Sequence, residues 1–275
     1  MDTNHEMNYY NYGIALSAEG VVKSWLLNRK KNNNNDETYN NDEQQENDNC
    51  LTFTALEDNS SVRLTTINRG NQLNRHTEYS IDNGITWNSF TNESGVIELQ
   101  SIGDKVKFRG LNYGGFSNGS RTSAHYQFIM TGKIGGSGDV TSLLNGVGGD
   151  FDFNGHLGMF AGLFEGCESL VTAPNLPSTK LSDACYDCMF ANCKQLEIAP
   201  KLPALKLTNY CYSTMFYWCT SLKKIEIMAT NINASYCLRI WANDISTEGT
   251  IIMNKDATWD PFQNGIPNGW TIETV

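Results

Sequence analysis

The sequence has little positive charge and no long apolar run. Its 20 lysines and arginines stand against 30 acidic residues, which gives a formal net charge of -10 and a pI near 4.9. Nucleic-acid binding requires a basic surface that neutralises phosphates, so this balance argues against it. A membrane-spanning helix needs about 18 consecutive apolar residues, and the chain contains no such run. We therefore expect neither nucleic-acid binding nor membrane insertion.

Catalytic residue types are sparse as well, since the chain has only four histidines. None of them stands in a pattern with serine or cysteine that is typical of nucleophilic catalysis. The sequence therefore predicts neither enzymatic activity nor a cofactor. The catalytic alternative is an enzyme of carbohydrate chemistry, which would need paired carboxylates in a cleft.

The amino-terminal region divides into a short apolar segment and a polar tether. Residues 1–31 include GIALSAEGVVKSWLLNRKK, whose apolar side chains fit one stripe of a helix that ends in three cations. Residues 32–49 hold six acids and no aliphatic side chain, so they cannot bury enough surface to offset the entropy of ordering. We predict a docking segment on an acidic, Asn-rich tether, and a helix or strand packed on its own domain is the equal alternative. The predicted docking residues are Ile14, Val21, Val22, Trp25 and Leu26.

Residues 50–132 alternate between apolar and polar side chains, which is the pattern of strands with one buried face. The alternating runs are short and are separated by Gly, Asn and Asp, which favours an antiparallel β-sandwich. The apolar positions include Leu51, Phe53, Ala55, Val62, Leu64, Ile97, Leu99, Val106, Phe108, Tyr126, Phe128 and Met130.

The segment YSIDNGITW, residues 79–87, predicts a β-hairpin. Asn83-Gly84 suits a type I′ turn because both central residues need positive φ, so strands are expected up to Ile81 and from Ile85. The same residues are similar to the S-x-D-x-G-x-T-W box of sialidase-like propellers, where the box is structural and recurs in several blades. Because it occurs once here, it does not indicate a propeller.

The C-terminal half of the chain repeats itself every 26 residues. A period of about 20–29 residues with leucines at fixed positions is typical of a leucine-rich solenoid, in which each unit buries its apolar side by stacking on its neighbours. Matching residues include Phe164, Phe190 and Phe216, then Cys167, Cys193 and Cys219, and also Leu170, Leu196 and Leu222.

Each unit is predicted to contain a strand, a proline-bounded bend, a short helix and a turn. The runs SLVTAP and QLEIAP end in proline, which cannot donate to a ladder and so ends a strand. Leu181, Cys185 and Met189 recur at helical spacing, which would place one side of a short helix against the strands. Gly166 and Asn192 suit the left-handed conformation that a helix end often needs.

The cysteines of the repeats are predicted to form two columns of buried, reduced thiols. Stacked strands lie about 4.8 Å apart, so disulfides are geometrically possible and are the alternative, but a small apolar side chain in the core explains the pattern without them. Only Cys50 is expected outside the core. The spacing of Cys185, Cys188 and Cys193 fits zinc ligands, yet a second pair is missing, so no metal is predicted. The columns are Cys167, Cys193 and Cys219, and Cys185, Cys211 and Cys237.

Two short motifs lie in the predicted connecting segment, residues 133–158. KIGGSGDV is rich in glycine like a phosphate loop but lacks the following Lys-Ser/Thr, and the Asp150/Asp152 pair lacks the further ligands of a calcium site. We interpret both motifs as turns.

The stretch from Met159 to Ile227 resembles the BspA-like leucine-rich repeats, whose units read M-F-x-x-C-x-x-L-x-x-A-P-x-L-P-x-x-x-L-x-x-x-C-Y. The closing DPFQNGIPNGWTI is similar to the tail that often finishes such arrays. LTFTALED and GDKVKFRG resemble the β-sandwich that commonly precedes them in proteins of anaerobic gut bacteria and their phages. The resemblance implies an α+β, mainly β fold, with the β-sandwich followed by repeats over 159–240 and a cap over 241–275.

The resemblance implies adhesion or structural recognition rather than catalysis. Because the chain begins without an export signal, we expect a phage virion component, capsid- or tail-associated, that assembles in the host cytoplasm. A bacterial cell-surface adhesin is the alternative. The expected partners are other virion proteins, bound through the N-terminal segment, and a host surface glycan or protein, with an oligomeric state in the assembly. The candidate recognition surface is Glu197, Ile198, Lys223 and Lys224.

Overall fold

A computed structural model describes residues 49–67, 76–90, 95–120 and 122–275, which belong to one compact unit. The described residues are mainly β, with almost no helix and several sheets, none of them closed. The predicted mainly β class is therefore confirmed, and the helical contribution implied by an α+β class is wrong. The predicted docking segment and nearly all of the tether lie outside the described residues.

Twelve strands and two short helices occur in the part of the chain that the structure describes. The helices are α1, Ser142–Asn145, and a 3-10 helix, Phe262–Asn264. The strands are β1 Leu51–Ala55, β2 Ser60–Ile67, β3 Thr77–Ser80, β4 Asn88–Phe90, β5 Ile97–Leu99, β6 Lys105–Gly110, β7 His125–Thr131, β8 Ile134–Ser137, β9 Leu170–Thr172, β10 Lys224–Ile227, β11 Glu248–Met253 and β12 Gly269–Thr274.

Two sheets, formed by strands β1 to β8 with β9 added at one edge, contact each other through aromatic side chains. One has the order β4-β3-β6-β1-β8-β9 and the other the order β5-β2-β7. Phe128 of the second sheet meets Phe53 and Phe108 of the first, with ring centroids 5.0 and 5.2 Å apart in edge-to-face geometry. Most of the alternating apolar residues lie in strands, as predicted, because their side chains fill this shared interior. The exceptions are Val96, which is exposed and precedes β5, and the hairpin residues described next.

The predicted hairpin forms, but its strands are shorter than expected. β3 and β4 are antiparallel, and the pair nearest the turn is Tyr79 with Asn88. Asn83 and Gly84 both have positive φ, at 61° and 92°. The expected strand residues from Ile81 to Trp87 instead form a loop. Asp82 accounts for this, since its carboxylate accepts hydrogen bonds from Ser80 Oγ at 2.7 Å and from Thr86 N and Oγ1 at 2.9 and 2.5 Å.

The predicted turn at KIGGSGDV is wrong in its first half, because these residues form strand β8. β8 lies between β1, which is antiparallel to it, and β9, which is parallel. A Cβ on Gly136 would lie 2.7 Å from the carbonyl oxygen of Thr172 in β9, so a glycine is required for this close approach. The glycines that resemble a phosphate loop therefore serve strand packing.

Residues 26 apart lie next to one another in the C-terminal half. Phe190 N donates to Met215 O at 3.0 Å, as Phe164 N does to Met189 O at 2.9 Å. The rings follow the same order, with centroids 5.4 Å apart for Phe164 and Phe190 and 5.9 Å for Phe190 and Phe216, nearly parallel in both cases. Consecutive units thus contact each other through both backbone and core.

The short helix predicted in each unit is wrong, since these segments are successive turns. In an α-helix every interior N–H donates to the carbonyl four residues earlier, which leaves no donor for a neighbouring unit. Here the donors alternate. Met189 N donates to Tyr186 O of its own turn at 3.1 Å, and Phe190 N donates to the next unit. Asn192 and Gly166 do have positive φ, as predicted, at 63° and 72°.

The C-terminal residues pack on the last unit and extend its strands. β10, β11 and β12 form a parallel sheet. Trp270 is buried and donates from Nε1 to Ser246 O at 2.8 Å, and buried Trp241 donates from Nε1 to Asn264 O at 2.6 Å. Both indoles therefore bury their rings and satisfy their polar edge.

Leu196→Asp tests the register of the units. Leu196 is 0% exposed, so the substitution buries an unpaired charge at a cost of about 4 kcal/mol or more, a large share of a typical stability of about 5–15 kcal/mol. We expect loss of the cooperative thermal transition in circular dichroism. Ile198→Asp is the matched control, because Ile198 is 53% exposed, and it should melt close to the parent protein. Equal melting of both variants would contradict this register.

Asp82→Asn tests the hairpin loop. Hydrogen bonds from Thr86 and Ser80 lower the pKa of the Asp82 carboxyl to about 2. Because this pKa is depressed in the folded state, its contribution to stability is present above pH about 4 and is lost as the pH falls toward 2. Asp82→Asn should therefore lower the melting temperature by a few degrees at pH 6 and not at pH 2. Carboxyl NMR should give a midpoint near 2, and Thr86→Val should raise it. An unshifted midpoint would exclude the loop geometry.

Candidate recognition surfaces

The four residues predicted to form a recognition surface lie together on adjacent strands. Ile198 bridges in parallel to Thr172 on one side and to Lys224 on the other, and Lys223 N donates to Glu197 O at 2.8 Å. All four predicted residues are exposed. The ladder thus presents an isoleucine between one acidic and two basic side chains, which can contact a ligand of mixed polarity.

An open cleft of about 550 Å³ lies between β7 and the first repeat unit. His125 is held by a hydrogen bond between Nδ1 and Ser123 O at 2.9 Å, and Gln127 Nε2 donates to the carbonyl of Glu165. Its lining is mostly polar and comprises Ile67, Thr122, His125, Gln127, Glu165, Gly166, Glu168 and Asn192. No sequence pattern indicates this cleft, because its lining residues are distant in the chain and meet only through tertiary packing.

Two glutamates line the cleft, which is the residue pair that the enzymatic alternative requires. The Glu168 carboxylate is exposed and forms an ion pair with Lys194 at 2.6 Å. A general acid for glycoside hydrolysis must instead be held protonated in an apolar site. The exposed ion pair of Glu168 with Lys194 can contact a polar ligand at the edge of the cleft.

All eight cysteines are buried thiols. One column links neighbouring chain segments, since Cys193 Sγ donates to Phe164 O at 3.2 Å and Cys219 Sγ donates to Phe190 O at 3.0 Å. Burial raises the pKa of both Cys211 and Cys219 to about 12. A thiol needs to ionise to act as a nucleophile or metal ligand, so these cysteines serve packing. Cys50 is also buried, contrary to the expectation.

The zinc spacing does not become a site in the folded chain. Within the residues that the structure describes, no group of three or more His, Cys, Asp or Glu side chains is placed to hold a metal ion. The Asp150 carboxylate instead accepts bonds from Thr179 N and Oγ1 at 2.9 and 2.7 Å, and Asp152 pairs with Lys180 at 3.1 Å. Both aspartates therefore hold the connecting segment against the first unit.

The buried thiols can be tested by alkylation. Iodoacetamide at pH 8 should leave the repeat cysteines of the native protein unmodified, because burial raises their pKa and blocks access, and should modify all eight after denaturation. Ile198→Cys is the positive control, since this exposed position should react in the native state. Detection of three intramolecular disulfides by mass spectrometry would overturn the assignment.

The predicted docking residues Ile14, Val21, Val22, Trp25 and Leu26 lie outside the described residues. Among the described residues, no helix has the length and apolar character that crossing a membrane requires. In comparisons with known proteins, no family model, curated protein or solved structure matches the chain.

Proposed function

We propose that the protein is a non-catalytic virion component that presents a repeat array for recognition. The observation that carries this proposal is the contrast between constant interior and variable exterior positions. Phe190 and Phe216 occupy one interior column, whereas the exposed positions Glu197 and Ile198 are followed one unit later by Lys223 and Lys224. A ladder that keeps its core and varies its surface is suited to binding a specific partner.

We propose a three-part architecture for the described residues. The two facing sheets are interpreted as a β-sandwich, the 26-residue units as a BspA-like leucine-rich repeat solenoid, and the segment around Trp241 and Trp270 as its cap. The unit-to-unit hydrogen bonds and the ring stack from Phe164 to Phe216 support the solenoid. The contact of Phe53 with Phe128 supports the sandwich.

The non-catalytic part of this proposal is supported by the contacts of the cysteine thiols and of the cleft carboxylate. The thiols of Cys193 and Cys219 donate to backbone carbonyls, and burial raises their pKa above its usual range. Glu168 in the open cleft is ion-paired at the surface. Each group has a structural partner that competes with a catalytic role.

The virion assignment rests on the family resemblance and on the design of the amino terminus. Residues 1–31 carry apolar side chains and are separated by the acidic tether from the compact unit. Asn49, the first described residue, already contacts the body of the protein, since its carbonyl oxygen accepts a hydrogen bond from Asp139 N at 2.8 Å. A flexible chain of this tether's length spans about 20–25 Å on average, so the array can stand away from the particle to which the segment docks.

Deletion of residues 1–48 tests the docking role. Because the described residues carry their own core, we expect a soluble fragment that melts cooperatively. The fragment should be missing from particles purified from lysed host cells, whereas the full chain should be detected on them by immunogold labelling.

A full-length control separates docking from folding. Trp25→Asp with Leu26→Asp should abolish incorporation while leaving the melting temperature unchanged, and replacing residues 32–48 by a Gly/Ser chain of equal length should preserve incorporation. Aggregation of the fragment would place the amino-terminal segment in the core and exclude docking. Full incorporation of the fragment would exclude it too.

A further inference from the structure

Four turn segments, residues 158–166, 184–192, 210–218 and 236–244, mark four successive units, and they form three columns in which every residue has positive φ. Within a turn segment the positive φ values occur at every fourth residue. Each column contains the equivalent residues of successive units, which are 26 apart in the sequence. In the first unit all three positions are glycine. The columns are Gly158, Ala184, Tyr210 and Tyr236, then Gly162, Cys188, Thr214 and Ile240, and also Gly166, Asn192, Trp218 and Asp244.

The third and fourth units place bulky side chains where glycine would be easier to accommodate. Tyr210 has φ 56°, Trp218 61°, Tyr236 56° and Ile240 43°. This left-handed conformation is unfavourable for residues with a Cβ, and for bulky or β-branched ones it is a clear outlier. The first unit has glycine at all three positions, so the ladder geometry itself does not require an aromatic ring there.

Core packing does not explain these rings either. In the second unit the columns of these rings hold Ala184, which is buried, and Asn192, which is half-buried. Tyr210, Trp218 and Tyr236 are 38%, 45% and 59% exposed. Strained residues cluster at functional sites, and these bulky side chains occupy strained positions without filling the core. We define these three residues with Arg239 and Asp244 as the aromatic turn face.

The aromatic turn face is held in place by its own contacts. The rings of Tyr210 and Tyr236 stack with centroids 5.0 Å apart, and Arg239 lies 5.8 Å from the Tyr236 ring. Trp218 Nε1 donates to Asp244 Oδ2 at 3.0 Å, which fixes the indole and satisfies its polar edge. The side chains are therefore preorganised, which lowers the entropic cost of binding a ligand.

A column of hydrogen-bonding side chains runs beside the tyrosines. Asn209 donates from N and Nδ2 to the Asp183 carboxylate at 3.0 and 3.1 Å, and its Oδ1 accepts from Ser235 N at 2.9 Å. Asn209 is exposed and immediately precedes Tyr210. Asp183, Asn209 and the exposed Ser235 thus form a polar column beside the stacked tyrosines.

We propose that the aromatic turn face binds a neutral oligosaccharide chain. A sugar ring has an apolar C–H face that packs on an aromatic side chain and a rim of hydroxyls that both donate and accept hydrogen bonds, which the neighbouring polar column can satisfy. Repetition over two units suits a ligand of several sugar residues. This inference rests on the proposed recognition role and adds the ligand class.

Charge and composition favour a neutral glycan over an acidic glycan or a protein partner. The charges of Arg239 and Asp244 balance, and the chain carries a net charge of -10, which disfavours acidic glycans. A protein interface is enriched in Tyr, Trp and Arg, but its core is apolar and depleted of charged residues. Of the six column positions in the third and fourth units, Ile240 alone is aliphatic, and the polar column lies directly beside the rings.

Binding should be measured on the full chain with neutral hexasaccharides of glucose, mannose, xylose and N-acetylglucosamine, by calorimetry and tryptophan fluorescence. We expect at least one of them to bind with a dissociation constant of about 1 mM or tighter. Trp218→Gly and Tyr236→Gly should each weaken that binding about tenfold or more. Their melting temperatures should stay at or above that of the parent, because glycine relieves the backbone.

Ala184→Gly is the matched control, since it changes the same column without removing a ring, and it should bind like the parent. Failure of all four hexasaccharides to bind at about 10 mM, unchanged affinity in both ring variants, or a melting temperature of the ring variants below that of the parent would each overturn the inference. If ring variants instead lose incorporation into particles and no glycan binds, the face is a protein interface. That result would leave the virion assignment standing and refute the glycan.

Discussion

The structure of the repeat units depends on how the backbone divides its hydrogen-bond donors. One N–H closes a turn within its own unit and the next donates to the following unit, as Met189 and Phe190 do. An α-helix would use all of these donors internally, so the units would then contact each other through side chains alone. The positive φ at every fourth residue accompanies this arrangement in each unit. The division of donors therefore excludes the helix that apolar spacing suggests.

The first unit contacts the preceding sheets through the same kinds of interaction that join successive units, namely backbone hydrogen bonds, ring stacking and thiol hydrogen bonds. β8 pairs in parallel with β9, the ring of Phe128 stacks on that of Phe164 at 5.4 Å, and Cys167 Sγ donates to Phe128 O at 3.0 Å. Hydrogen bonds and ring stacking thus continue from the preceding sheets into the array. The same junction creates the open cleft beside His125.

The two candidate surfaces follow from the constraint on the interior. Phe190 stacks on a ring of each adjacent unit and Leu196 is fully buried, so the size and polarity of both are fixed by packing. Exposed positions of the same units carry no such restriction, and there the chain varies its side chains. The strand surface around Ile198 uses mixed charge, whereas the aromatic turn face uses rings at positions where the backbone conformation favours glycine. Recognition on the exterior is therefore compatible with an unchanged core.

The sequence by itself determined the features that recur at a fixed spacing. Alternation located β1, β2 and β7, and the period of 26 placed residues such as Leu196 in the interior, because both patterns report local geometry and burial. The sequence did not predict strand β8, because its glycines reflect the close approach of Thr172. It also did not predict turns in place of helices, since apolar residues at every fourth position fit either structure. The cleft and the aromatic turn face were also decided by tertiary structure. Their residues are distant in the chain, and only the stacking of units brings them together.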